Sequence, residues 1–447
     1  VLEFGVLDYF MSLAGLLVTF LIFGQDSAVA RFFYHYEDSE IRRQLISQSL
    51  FFQLFVVIII LPLLWIASDW VSDFAVISSQ GADLFKIVIF QMPFLLLINF
   101  SINLLKWTFD RGPFLIMSVG NSIFQVCALL LAIFVLDVSI KTVLLITLVT
   151  SAIFGLFGLF FIRKFLIRPT NYKYLREMIP FALPNGAICV LGAFSPAMER
   201  TISSEILGVE SLGLYATGAK LAMVMGFFVN AFQTAWGPFS LSVHKEANAE
   251  RIYNWVFKLF TLMMCLTALI LTLLSKPLIL YLTTDRYLGA WIVVFPLAMG
   301  LGIQGVSWIT EIGIGISMRP KLSLYAYAIA IVATLFGIYL LTPFYGLLGV
   351  GLGVLIGHTV KSLIASILAQ RVHPLSWQYR PVLALVATSI FGGFASIYIS
   401  NHFELMLGNL LICVIISLVF LVGWRSLFSK EDRGRLKEIL VRSRCRK

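Results

Sequence analysis

The sequence predicts an all-α polytopic membrane protein made of two copies of one multi-helix unit. Three observations carry this expectation. Of the 447 residues, 60% are apolar and only 13% charged, whereas soluble domains sit near half and a quarter. The run of about 20 mostly apolar residues that crosses a hydrocarbon core recurs along the whole chain. Sliding the sequence by 208 positions also lays Gly5 and Gln25 on Gly213 and Gln233, Gly81 and Ala82 on Gly289 and Ala290, and Arg111 on Arg319. The same offset superimposes apolar spans on spans and loops on loops.

Roughly thirteen spans are expected, at about 5–30, 45–68, 83–105, 113–136, 141–162, 179–198, 213–237, 253–275, 287–317, 321–341, 347–370, 380–399 and 404–424. Connections are short. One set of loops holds Arg31, Arg42, Arg43, Lys106, Arg111, Arg163, Lys164, Arg168, Lys173, Arg176, Lys245, Arg251, Arg319, Lys321, Arg371 and Arg380, followed by the basic tail. The alternate set holds only Lys141, Arg200, Lys276 and Arg286, and its stretch 69–83 is acidic. The positive-inside rule places the first set and the C-terminus in the cytoplasm. Residue 1 then lies outside. The chain starts at Val1 without an initiating Met, so a preceding helix is expected, giving about fourteen spans with both ends inside.

A parallel repeat needs an even number of spans per unit, and related units then share an axis along the membrane normal, as in some secondary transporters. The expected domains are an N-terminal lobe at 1–162, a basic inter-lobe loop at 163–178, a C-terminal lobe at 179–372, two further helices at 373–428 and a basic tail at 429–447. The loop, R-K-F-L-I-R-P-T-N-Y-K-Y-L-R-E-M, either lies on the anionic inner leaflet or is a plain positive-inside connection.

Ionisable groups inside spans cost about 2.5–3.5 kcal/mol each at mid-membrane and usually face a cavity. Lys361 is the sharpest candidate, roughly 15 Å from the cytoplasmic end of its span at 1.5 Å per residue. His358 precedes it on the same helical face. Lys220 lies about 10 Å inside the outer end of its span, Glu311 a similar depth from the cytoplasmic end, and Glu199 and Arg200 close the sixth span. One reading is a central cavity where Lys220, Lys361 and Arg200 attract an anionic substrate while Glu199, Glu311 or His358 exchanges a proton or cation. The other makes the same groups helix–helix salt bridges, or lysines that snorkel to an interface. Arg31 ends the first span at the cytoplasmic side, either paired with Asp26 or as a positive-inside anchor.

Other classes find little support. The net charge of +10 sits in loops and tail and does not signal a nucleic-acid partner. The five cysteines, Cys127, Cys189, Cys265, Cys413 and Cys445, show no metal or disulfide spacing and read as small core residues. No Walker A, H-E-x-x-H, G-x-S-x-G or zinc pattern occurs, so no enzyme, cofactor or metal is expected. Glycine-rich stretches such as Gly346 to Gly357, with Pro93, Pro184 and Pro296, suit close packing and bending of helices.

Four stretches resemble the polysaccharide (O-antigen type) flippases of the multidrug/oligosaccharidyl-lipid/polysaccharide exporter superfamily. L-E-F-G-V-L-D resembles the segment leading into that family's second helix. G-Q-D-S-A-V-A-R-F-F-Y-H-Y-E-D, then R-R-Q-L-I-S-Q-S-L, is similar to the helix end and loop that follow. E-R-T-I-S-S-E-I-L-G-V-E-S-L-G-L-Y-A-T-G-A-K-L-A resembles the segment opening the second lobe, with Glu199 where Asp is commoner. T-P-F-Y-G-L-L-G-V-G-L-G is similar to the later loop-and-glycine segment.

The resemblance implies fourteen helices, two six-helix lobes in a V plus two C-terminal helices, and a first helix missing here. It implies movement of a polyprenyl-diphosphate (undecaprenyl-type) oligosaccharide from the inner to the outer leaflet of a bacterial inner membrane, with membrane lipids and glycan polymerases or glycosyltransferases as partners. Arg31 and Arg200 match motif positions and Lys220 lies within a motif stretch, whereas Lys361 rests on its depth in the span alone. Coupling to a proton or sodium ion stays open. The rivals are a cation-coupled multidrug exporter on the same fold and a non-transporting scaffold of a glycan-assembly complex.

Overall fold

The computed structural model describes residues 2–70, 81–135, 139–169, 171–244, 246, 248–317, 319 and 321–427. The tail expected at 429–447, Lys245 and most of the acidic stretch 69–83 lie outside the described residues. Among the described residues every regular element is helical and none is a strand. Twelve helices are long and apolar enough to cross a membrane, and the pair Lys173–Pro184 and Gly186–Leu207, bent by 44°, makes a thirteenth when taken as one span. The chain is a multi-pass α-helical membrane protein. Backbone groups in hydrocarbon must bond within their own segment, which the helix alone achieves without a closed sheet.

The chain forms two compact units, Val1–Gly213 and Leu214–Lys447. The first contains α1 (Leu2–Ile22), α2 (Gln25–His35), α3 (Ser39–Ile66), α4 (Gly81–Trp107), α5 (Arg111–Leu115), α6 (Asn121–Val135), α7 (Ile140–Ile162) and α8 (Lys173–Leu207). A π turn, Ile116–Gly120, joins α5 to α6. Helix α4 packs most extensively on α7, while α1 and α2 both lie against α8. Asp38 caps α3 by accepting the Glu40 N–H at 2.7 Å, and Ser139 caps α7 through the Thr142 N–H at 3.2 Å. These side chains satisfy amide groups that a helix start leaves open.

The run expected as a single first span is two helices. Phe23 and Gly24 take positive φ, 41° and 72°, and break it. A Cβ on Gly24 would stand 2.5 Å from both the Ala182 carbonyl oxygen and the Gly186 nitrogen. Glycine takes this left-handed backbone without strain, and contact with α8 leaves no room for a side chain there.

Helix α3 reverses the pattern of a soluble amphipathic helix. Phe51, Phe55, Ile58, Leu63 and Ile66 are exposed, while Gln44, Ser47, Gln48, Ser49 and Gln53 are buried. In lipid the apolar face needs no cover, and the polar groups turn inward to find partners. Ser49 Oγ bonds Gln25 Oε1 at 3.2 Å, and Gln53 donates to Ser49 at 3.4 Å. The basic loop is fastened to this face. The Ile167 N–H donates to Ser47 Oγ and the Leu175 N–H to Gln48 Oε1, each at 2.9 Å. Beside it the Tyr36 hydroxyl donates to Glu177 at 2.9 Å, which holds its proton above the usual phenol range, because ionisation would set two negative groups together.

The second unit begins within α9 (Val209–Val243) and continues with α10 (Ala249–Leu282), α11 (Val294–Thr310), α12 (Ile312–Ile316), α13 (Lys321–Tyr345), α14 (Leu347–Val372), α15 (Tyr379–His402) and α16 (Leu405–Leu427). A 3-10 segment, Asp285–Val293, leads into α11. Helices α13 and α14 form the most extensive pair, α11 lies on α14, and α15 and α16 both pack on α10. The cysteine expectation is corrected here. Cys127, Cys189 and Cys413 are exposed and only Cys265 is buried among the described cysteines, because a small apolar thiol rests equally well against lipid.

Candidate functional site

In the first unit, α8 carries Glu199 and Arg200. Its interior holds Pro180, Pro184 and Pro196, and each proline removes one ladder hydrogen bond and bends the helix. One turn after Pro196, Arg200 turns Nε to Asp8 Oδ2 of α1 at 2.6 Å, and Nη1 to the Pro196 carbonyl at 2.9 Å. Both side chains of this pair are only 12% exposed. The adjacent Glu199 is buried and accepts the Ser195 hydroxyl at 2.8 Å. Arg31, on α2, stands over the Phe181 ring, 4.4 Å from its centroid, a cation–π contact. Asp26 instead accepts the Ser27 N–H at 2.8 Å.

In the second unit the site is organised around a helix break. Helix α11 stops at Thr310, α12 starts at Ile312, and Glu311 stands between them. Lys361 reaches across from α14 and is 1% exposed. Its Nζ bonds Glu311 Oε1 directly, meets Ser307 Oγ at 2.9 Å and lies 4.9 Å from the centroid of the Tyr327 ring on α13. Ser307 Oγ also donates to Glu311 Oε1 at 2.7 Å, so carboxylate, hydroxyl and ammonium close a triangle. Alongside, Thr310 and Ser366 join α11 to α14 at 2.6 Å. His358, one turn before Lys361, packs its ring on Gly300, where an added Cβ would stand 2.9 Å from Cδ2. Ser307, Thr310 and Ser366 also line a cavity of about 620 Å³, whose walls carry apolar side chains such as Met264, Met299 and Ile367 together with Gln370, Arg371 and Tyr379.

The fold thus brings Lys361 to Glu311, sets Glu199 beside Arg200, and holds Arg31 apart at the α2–α8 contact. Lys220 is exposed on α9. Sequence reasoning missed Asp8, Ser307 and Tyr327 as partners. Asp8 was visible as a carboxylate near the start of an apolar run, and Ser307 as the residue one turn before Glu311. Nothing local marks Tyr327. Among the described residues, no group of three or more His, Cys, Asp or Glu could hold a metal ion.

A bundle of apolar helices with charged groups paired inside it is the architecture of a polytopic α-helical membrane protein. Residues 1–244 match the family model described as "Polysaccharide biosynthesis protein", more than half of the chain, and the chain belongs to that family. It is 23% identical over 362 residues to the "Lsg locus putative protein 1" of Haemophilus influenzae, covering 77% of this chain and 86% of that protein. Among solved structures it is similar to the lipid II flippase MurJ in an inward closed conformation, with a TM-score of 0.66 at 15% identity over 94% of this chain and 92% of that one. An inward-facing multidrug resistance MATE family transporter of the MOP superfamily also gives 0.66, at 16% identity over 83% and 93%. The fold is that of these transporters.

Proposed function

We propose that the chain is a flippase that moves a polyprenyl-diphosphate-linked oligosaccharide from the cytoplasmic to the outer leaflet of a bacterial inner membrane, by alternating access. Membership of the polysaccharide biosynthesis family, on a fold shared with a lipid-linked-precursor flippase, is the observation that carries this reading. The physical task is to take a charged, sugar-bearing head through hydrocarbon while its prenyl tail stays in lipid. Arg31, Arg200, Lys220 and Lys361 are the cations proposed to meet the anionic head. Glu199, Glu311 and His358 are the groups proposed to take up and release a coupling ion. The proposed lobes are 1–162 and 179–372, with 373–428 as an addition to the second. The C-terminus would face the cytoplasm, and glycan polymerases or glycosyltransferases would supply and remove the cargo.

Depletion of the protein in its host tests this. Prenyl-linked glycans are then profiled by mass spectrometry and their leaflet is determined. Accumulation of one oligosaccharide on the cytoplasmic leaflet is the expected result, and it identifies the cargo. Unchanged glycan pools with altered sensitivity to cationic drugs would replace this reading with a multidrug exporter.

A further inference from the structure

The groups around Lys361 Nζ make up a ligand set for a small cation: a carboxylate oxygen of Glu311, the hydroxyl of Ser307 and the π face of Tyr327. They converge at the interruption between α11 and α12. Helix interruptions at membrane depth free backbone groups and are places where transporters bind dissolved ions. Here the position at the centre is filled by an ammonium that belongs to the chain. A buried carboxylate needs a positive partner, and a tethered one is always present and cannot diffuse away. Lys361 also arrives from α14, so the pair fastens the interrupted helix to its neighbour.

We propose that the Lys361 ammonium is the resident cation of a monovalent-cation site formed by Glu311, Ser307 and Tyr327, and that the second unit therefore works without a dissolved cation there. Shortening Lys361 uncovers the site for an alkali cation. For the transport reading, on which only this consequence rests, a sodium gradient has no hold at Glu311.

The test uses the purified full chain in detergent, at constant ionic strength, with sodium, potassium, lithium or choline as the cation. The wild type is expected to melt at the same temperature in all four. Lys361→Ala is expected to melt lower in choline and to be raised saturably, by several degrees, by one alkali cation. Lys361→Ala with Glu311→Gln should lose that response. A folded Lys361→Ala protein indifferent to cations overturns the proposal, as does a double variant that still responds. Should Lys361→Ala not be recovered folded, radioactive-sodium binding to the wild type decides. Background binding supports the proposal, and saturable binding abolished by Glu311→Gln overturns it. The readout is cation binding and not glycan transport, so failure here and failure of the flippase reading are distinguishable.

Discussion

A charge held inside a helix bundle is stable only with its partner, and the two ion pairs differ in how far this applies. Lys361 and Glu311 are nearly sealed from the surroundings. Removing one member leaves the other uncompensated, which costs about 3–5 kcal/mol, whereas replacing both by neutral groups of similar shape is often close to neutral. Lys361→Met and Glu311→Gln are therefore each expected to lower the melting temperature sharply, and the double variant to recover most of the loss. Additive losses would show that the two residues act separately. If the chain exports glycan as proposed, Lys361→Ala should abolish accumulation of surface polysaccharide and Lys361→Arg should retain part of it. Equal loss from both would assign the lysine to packing alone. The Arg200–Asp8 pair is partly open, so Asp8→Asn and Arg200→Gln should each cost about 1–3 kcal/mol, between exposed and sealed pairs, with non-additive effects in the double variant. Lys361, Glu311 and Arg200 stood out in the sequence because charge is rare in apolar runs. The pairing did not, since Asp8 and Arg200 lie 192 residues apart and no local pattern joins them.

Helices meet where side chains are absent. Gly5, on α1, approaches the start of α9 so closely that a Cβ would lie 2.5 Å from the Gly213 nitrogen and 2.7 Å from Leu212 Cβ. Gly5→Val is expected to force these segments apart and reduce the yield of folded protein in fluorescence-detected size exclusion, whereas the same change at Gly15, with nothing within 4 Å of the added carbon, should be tolerated. Gly24→Ala carries two penalties: a left-handed backbone, about 1–2 kcal/mol for an L-residue, and the clash with α8. It should destabilise more than an alanine at Gly15. The apolar runs themselves were legible, because about 20 apolar residues have few other fates. The interruptions at Phe23–Gly24 and at Glu311 were not. Each lies where another helix makes contact, α8 at Gly24 and the α14 lysine at Glu311. The buried stripe from Gln44 to Gln53 was open to view as polar residues at helical spacing within an apolar run, and its meaning depended on the loop amides that return to it.

Across the whole molecule, the positive-inside rule predicts an orientation from which loops carry the Lys and Arg. Of the few cations in the loops expected outside, two are engaged by protein: Arg200 with Asp8, and Lys276 with the Ser400 carbonyl and, at 4.6 Å, the Trp291 ring. In the loops expected inside, Arg163 stands over Phe160 at 4.1 Å and Lys164 pairs with Asp110 at 2.5 Å, but Lys and Arg are far more numerous in that set. Lys and Arg near helix ends resist translocation, and the excess accumulates along successive loops. A fluorescent reporter that matures only in the cytosol is therefore expected to be bright when fused after Leu427. Inserted between Thr283 and Thr284, beyond the end of α10, it should stay dark while a phosphatase at the same point is active. Brightness at the second position and darkness at the first would reverse the orientation. It would also overturn the direction of transport proposed for the cargo, because the basic ends of the helices would then face the leaflet proposed to receive it.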